Sequence, residues 1–291
     1  MAEARFPEKR AVRRAFERAA ATYDSHAVLQ AEVGRRLLAH LEGIRIAPQR
    51  ILDLGCGTGA SFDLLRSRFT GPQLVGLDIA HPMLQHARQR SPRLQRLLNW
   101  RLPLLVCGDA ERLPLAANAF QLVFSNLALQ WCRPDLVFPE IARTLESGGL
   151  FMFSTFGPDT LRELRGAFAT VDGAEHVNTF IDMHDLGDAL VHAGFADPVM
   201  EMEVITLEYA TVRDVARDLQ AIGARNAMPG RPRGLAGRQR WKRVEAAYES
   251  HRLGGALPAT YEVIYGHAWK VPPKKIADGR QVIDFRPRGA P

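Results

Sequence analysis

The stretch Ile51–Ser61, ILDLGCGTGAS, runs from a short apolar segment into a turn built around Gly55, Gly57 and Gly59. Such a segment ending in a glycine cluster reads as a buried strand entering a tight turn that opens a helix. Turns of this kind usually hold a nucleotide. A dinucleotide site needs G-x-G-x-x-G, and a Walker loop needs Gly-Lys-Ser/Thr. This turn is G-x-G-x-G with Cys56 between the first two glycines, and no lysine follows. Asp53 stands two residues before the turn. A carboxylate there repels a pyrophosphate and attracts a cation such as an amino-acid ammonium.

Outward from this turn, apolar runs alternate with helical spacing. Strands are expected at 51–54, 74–78, 104–107, 122–126 and 150–155, with helices near 60–68, 81–90 and 134–146. Buried strands alternating with helices specify a parallel sheet covered on both faces. Before the turn, Val12, Phe16, Ala19, Ala20 and Tyr23 fall on one helical face over 9–23, and a second helix is expected over 27–42. After Phe156, two helical pieces fill 158–194, and 211–253 is helical around the interruption MPGRPRGLAG. Residues 199–209 and 260–269 alternate as strands. The expected class is α/β, a Rossmann-like doubly wound sheet of seven mostly parallel strands with an antiparallel edge strand and helical lid insertions. Its expected parts are a helical cap over 1–45, a ligand-binding core over 46–157, covering helices with the last two strands over 158–270, and a disordered tail over 271–291.

The ends of the expected strands carry further signals. Asp78 closes the second strand in LVGLDIA, followed by Ile79 and Met83, and an acid there reaches ribose hydroxyls in doubly wound folds. Asp109 and Ala110 follow the third strand, where a side chain and backbone groups meet an adenine amine. Asn126 opens SNLALQW beyond the fourth. An adenine, a ribose and an amino acid without phosphate describe S-adenosylmethionine.

Composition sets the outer bounds. The chain has 291 residues, 46% hydrophobic and 24% charged, enough for one large α/β domain. It contains no run of about eighteen apolar residues, so no membrane span is expected. The arginine-rich start also carries Glu3, Glu8, Glu17 and Asp24 and reads as part of the mature fold. Cys56, Cys107 and Cys132 form no CxxC pair, which suits a reducing cytoplasm and gives no metal site. The net charge is +6 and the pI about 9.5, with arginines concentrated at 9–14 and 231–243. This balance favours an acidic partner, and the absence of an aromatic-interleaved basic platform argues against nucleic acid.

The segments RRAFERAAATYDSHAVLQ (13–30), SNLALQWC (125–132), FSTFGPDTLREL (153–164), LQAIGARN (219–226) and LPATYEVIYGHAW (257–269) resemble the malonyl-acyl-carrier-protein O-methyltransferases of biotin synthesis. These belong to the class I S-adenosylmethionine-dependent methyltransferases, whose core resembles residues 48–156. The resemblance implies methylation of the free malonyl carboxylate, on an acyl-carrier protein or on coenzyme A, at the start of pimeloyl synthesis. That carboxylate is already ionised at neutral pH and needs no general base. It needs recognition, most naturally by arginine. The resemblance places the substrate pocket between the N-terminal helices and the segment after strand five, making Arg162 and Arg165 candidates. It also sets Tyr23 over the cofactor and Gln130 and Trp131 in the substrate pocket. The expected partner is an acidic carrier protein steered to the basic 231–243 segment, and the expected protein is a monomer. FGPDTLRELR and HDLGDALVHAGF also resemble a mitochondrial complex I assembly factor that modifies arginine. That reading needs iron or another oxidant, and no facial triad shows in the spacing. A non-catalytic scaffold of the same fold is the third reading.

Overall fold

The computed structural model describes residues 6–91, 102–232 and 237–271. Seven strands form one sheet: β1 (Arg50–Leu54), β2 (Gln73–Asp78), β3 (Leu104–Cys107), β4 (Phe120–Asn126), β5 (Leu145–Phe156), β6 (Phe195–Tyr209) and β7 (Leu257–Lys270). Their order is β3-β2-β1-β4-β5-β7-β6. The chain leaves β1 toward β2 on one side and reaches β4 on the other, so the order reverses at β1 and β4. In open α/β sheets a ligand crevice lies at that reversal, beyond the carboxyl ends of the strands. Leu54, Asp78, Cys107 and Asn126 all end there.

Side chains of β1 and β2 alternate between two core layers, as the two-residue strand period requires. Ile51 and Leu74 join Leu29, Val33, Leu37, Phe62 and Leu65 from α3 (Val28–Ala39) and α4 (Ala60–Arg68). Leu52, Leu54, Val75 and Leu77 join the opposite layer, with Phe138 and Ile141 of α6 (Pro134–Thr144) and Leu186 and Leu190 of α8 (Met183–His192). Phe151 and Phe153 stack at 4.9 Å beneath Phe138. Each such ring contributes about 2–3 kcal/mol by leaving water. Gly76 of β2 admits α4: a Cβ there would lie 2.6 Å from the Phe62 ring and 2.9 Å from Cys56 Sγ. The close helix–strand approach that a dinucleotide fold obtains from its third glycine comes here from the second strand.

Two expectations need adjustment. The antiparallel strand is not at the edge: β7 pairs antiparallel with both β5 and β6, and β6 forms the border. The helix expected over 9–23 is two, α1 (Lys9–Ala19) and α2 (Tyr23–His26). Thr22 Oγ1 donates to Ala19 O and to Ala221 O, and this competition with the helical ladder breaks the helix. The last expected helical region holds α9 (Val212–Ala221) and α10 (Arg238–Glu249), as its interrupted spacing predicts, and α5 (His81–Arg90) and α7 (Arg162–Ala169) are the remaining α-helices among the described residues. The expected tail over 271–291 lies outside the described residues except for Val271.

Candidate active site

The glycine turn is pinned to the neighbouring strand. The backbone N–H groups of Gly55 and Cys56 both donate to Leu77 O, at 2.8 and 3.0 Å. Gly55 has φ +75°, and a Cβ on it would lie 2.3 Å from the Cβ of Ala128. Only glycine lets the turn meet the segment after β4 at this distance. Asp78 accepts from Gly57 N at 2.9 Å and from Ala80 N at 2.8 Å. Its burial pushes the carboxyl up to about 6, against the pull of those N–H donors. Asp53 is buried at 1% exposure, and its Oδ2 has no partner among the described residues. Burial, with the nearby Asp78 charge, pushes it up to about 8. A buried acid without a donor calls for a proton or a cation beside it.

The wall beyond β4 is strained and held. Leu127 has φ +48°, costly for a residue with a side chain. Its N–H donates to Ser154 O at 3.1 Å and to Ser154 Oγ at 3.0 Å. The Ser154 hydroxyl donates to Asn126 Oδ1 at 2.8 Å, and Asn126 Nδ2 donates to Gln30 O at 2.8 Å. This chain of bonds ties β4, β5 and α3 at the rim. Opposite, Lys9 Nζ meets Asp109 at 3.2 Å and Glu111 at 3.0 Å and donates to Trp131 O at 3.2 Å. Burial alone would lower its ammonium; the adjacent acids hold it above its ordinary value.

The N-terminal helices form the roof. Phe16 meets Trp131 edge-on at 5.4 Å between centroids. The Tyr23 ring lies over the turn, 3.9 Å from where a Gly57 Cβ would stand, and its hydroxyl has no hydrogen-bond partner among the described residues. Burial, with Asp78 and Asp24 nearby, pushes that phenol up, so it stays neutral. Asp24 accepts from Thr58 Oγ1 and from Arg90 Nη2, the latter at 3.0 Å, binding the roof to the turn and to α5. The cleft beneath this roof is lined by α1, α2 and the carboxyl ends of β1, β2 and β4.

Of the residues singled out in the sequence, Tyr23, Gly55, Gly57, Asp78, Ile79, Met83, Asp109, Ala110, Asn126 and Trp131 line this cleft. Asp53, Cys56 and Gly59 lie behind its surface. Cys56 is buried, and Gly59 gives room to the Phe62 ring of α4. Gln130 faces away, donating to Leu127 O and receiving Thr155 Oγ1. Arg162 and Arg165 do not line the cleft. Arg162 is 58% exposed, beside Asp159 and Glu163. Arg165 donates to Pro158 O at 2.8 Å and Thr160 O at 3.1 Å, so its guanidinium fastens the turn before α7. In the expected docking segment, Arg231 is spent on Glu8 and two carbonyls and Arg240 on Asp172, while residues 233–236 lie outside the described residues. Lys9, Val12 and Phe16 line the cleft unannounced. Val12 and Phe16 belong to the apolar stripe of α1, which the sequence reads as core. Lys9 gives no local signal, because its acids lie a hundred residues away.

A crevice at the strand reversal that offers acids, polar rim groups and no phosphate-binding loop defines a methyltransferase of the doubly wound type. A methyltransferase domain model matches residues 52–153. Solved structures share the fold: the YcgJ protein of Bacillus subtilis superposes at TM-score 0.57 with 14% identity, covering 81% of this chain and 99% of that one. A chain from the complex of the Haloferax volcanii Trm112 methyltransferase activator with a methyltransferase gives 0.58 with 18% identity, covering 91% and 100%. The chain belongs to the malonyl-[acyl-carrier protein] O-methyltransferase family. It is 55% identical to the member from Laribacter hongkongensis over 99% of both chains. It is 52% identical to that from Gallionella capsiferriformans over 95% of this chain and 96% of the relative. S-adenosylmethionine is the cofactor, and the cleft suits it. A buried Asp53 oxygen with no partner among the described residues suits a cationic ligand, and the side-chain-free face at Gly57 leaves room in the cleft.

Proposed function

We propose that this chain transfers the methyl group of S-adenosylmethionine to the free carboxylate of malonyl-acyl-carrier protein, forming the methyl ester that starts pimeloyl and biotin synthesis. The observation that carries it is 55% identity sustained over 99% of the chain. That span includes the covering segments outside the 52–153 core as well as the core itself.

When bound, the cofactor supplies an electrophilic methyl on a cationic sulfur, with a neutral thioether as leaving group. The protein's part is to hold a nucleophile in line and to exclude water. Asp78 and Asp109 fix the nucleoside end, and Asp53 compensates the amino-acid end. Tyr23 and Phe16 close the roof over the reacting centre, with the Tyr23 hydroxyl free to orient a carboxylate oxygen. A second, smaller chamber shares Trp131 with the cleft and is lined by Gln30, Asn178, Asn226 and Tyr261. Gln30 Oε1 is buried there without a partner among the described residues. This chamber takes the acyl end of the substrate. Attack by an ionised carboxylate requires no base. The partner is an acidic carrier protein and the enzyme acts as a monomer in a reducing cytoplasm, where its three thiols stay free.

Incubation with S-adenosylmethionine and malonyl-carrier protein should add the mass of one methylene to the carrier. Expression should restore growth of a biotin auxotroph that lacks this step. An unmodified carrier in the presence of bound cofactor would remove the proposal. The arginine-modifying alternative predicts instead an oxygen-sized shift on a protein arginine.

A further inference from the structure

Outside the cleft, α1 and α9 border an open groove lined by Arg18, Arg213, Arg217 and Arg225, with no acid among its described lining residues. Two of these are neutralised locally, Arg213 by Glu245 at 2.6 Å and Arg217 by Asp214 at 2.7 Å. Arg18 and Arg225 are exposed and have no ion pair among the described residues. The charge extends along the helix. Arg10, Arg14 and Arg18 recur every four residues on α1, which sets them on one face. All three are exposed, and neither Arg10 nor Arg14 has an ion pair among the described residues. Helices commonly intersperse acids among such a row. Here the single acid of α1, Glu17, is taken by Arg13 at 2.9 Å.

The groove also has a meaningful address. The turn closing α9 is a shared wall. Gln220, Ala221 and Arg225 face the groove, while Ile222 and Ala224 face the inner chamber behind Trp131. Gly223 presses on α1, where a Cβ would lie 3.0 Å from the Phe16 ring and 3.2 Å from Ala19 Cβ. One thin turn therefore separates a basic outer surface from the chamber assigned to the acyl end.

We propose that this arginine ridge and groove, Arg10, Arg14, Arg18 and Arg225, is the docking surface for an acidic helix of the acyl-carrier protein. The inference rests on the methyl-transfer reading above and moves the docking site from 231–243 to the α1–α9 face. The occupant follows from charge complementarity. Arg10, Arg14 and Arg18 run the length of α1, and Arg225 sits on the turn whose other side lines the chamber proposed for the acyl end. Electrostatic steering of this kind acts mainly on encounter and weakens with salt.

The test uses the intact enzyme with Arg18→Glu/Arg225→Glu, and with Arg45→Glu/Arg50→Glu as an equal charge change at the opposite strand ends. KM is measured for malonyl-carrier protein and for malonyl-coenzyme A, over a salt series. The groove pair should raise KM for the carrier by about tenfold or more at low salt and flatten its salt dependence. It should leave kcat and KM for the small thioester, S-adenosylhomocysteine affinity and melting temperature as in wild type. The control pair should change carrier KM by much less. An unchanged carrier KM in the groove pair overturns the proposal, as does an equal loss with both substrates. So does a groove pair that loses only binding to RNA or to anionic lipid vesicles. A wild-type enzyme inactive on malonyl-carrier protein would instead refute the proposed function itself, a separate result.

Discussion

Replacing Gly55 by alanine tests whether the turn is as tightly built as its geometry requires. The added Cβ would stand 2.3 Å from Ala128 Cβ, on a residue with φ +75°. Ordinary carbon contacts lie at about 3.5–4.0 Å, so the two segments must part by more than an ångström. Holding a side chain in the left-handed region costs roughly 1–2 kcal/mol, and overpacking adds about 1–3 kcal/mol. The sum, about 2–5 kcal/mol, corresponds to a melting temperature lower by about 3–8 °C for a protein of this size. The assay is thermal unfolding together with titration of S-adenosylhomocysteine, on the single variant and on a cycle with Ala128→Gly. Removing the opposing methyl should restore the overpacking part, roughly half of the loss, and leave the conformational part. Gly57→Ala, whose Cβ has no neighbour nearer than 3.9 Å, should cost the fold less while narrowing the cleft. A Gly55→Ala protein as stable as wild type, or a loss that Ala128→Gly leaves untouched, would refute the contact.

Other outcomes follow from the same site. Asp78→Ala should weaken S-adenosylhomocysteine binding by about 1–3 kcal/mol, read by calorimetry, because a charged acceptor for two hydroxyls is lost. In the free protein the Asp78 carboxyl lies near 6, above its value in the unfolded chain. As pH rises from 4 to 6 the unfolded chain therefore ionises first and the apo fold loses about 3 kcal/mol from this group. Ligand affinity moves the opposite way and falls as pH drops through 6. Asp53, pushed up to about 8, is largely protonated at neutral pH in the free protein. Binding of the cationic cofactor should release a proton, seen as a buffer-dependent calorimetric enthalpy that Asp53→Asn abolishes. Tyr23→Phe should lower kcat by roughly tenfold through lost orientation and leave S-adenosylhomocysteine affinity unchanged. Arg165→Ala should lower stability by about 1–3 kcal/mol, for two lost bonds to carbonyls, without changing KM for the malonyl carrier.

The sheet was legible because its strands announce themselves locally. Ile51–Leu54, Leu74–Asp78 and Leu122–Asn126 are apolar runs ended by turn residues or acids, and the ladder extends each by at most two residues. The position of β7 inside the border was not legible, since alternation fixes which face is buried but not the neighbour. The floor of the cleft was readable for the same local reason: Gly55, Gly57, Asp78 and Asp109 sit on strand ends in chain order. The roof was legible at Tyr23, through the family resemblance, but not at Val12 and Phe16, which share one spacing whether they meet core or ligand. Arg165 misled because its charge type suited a carboxylate, while its geometry, directed at Pro158 O and Thr160 O, exists only in the folded turn. Gln30 gave no hint, for an amide on a helix acquires meaning only when Trp131 and Tyr261 enclose it.

Calorimetric competition at the cleft is the most direct measurement. The purified enzyme should bind S-adenosylhomocysteine at one site per chain, and NAD should neither bind nor reduce that affinity. NAD seated in the cleft, with the sulfur ligand unable to displace it, would contradict a site built for an adenosyl group without phosphate.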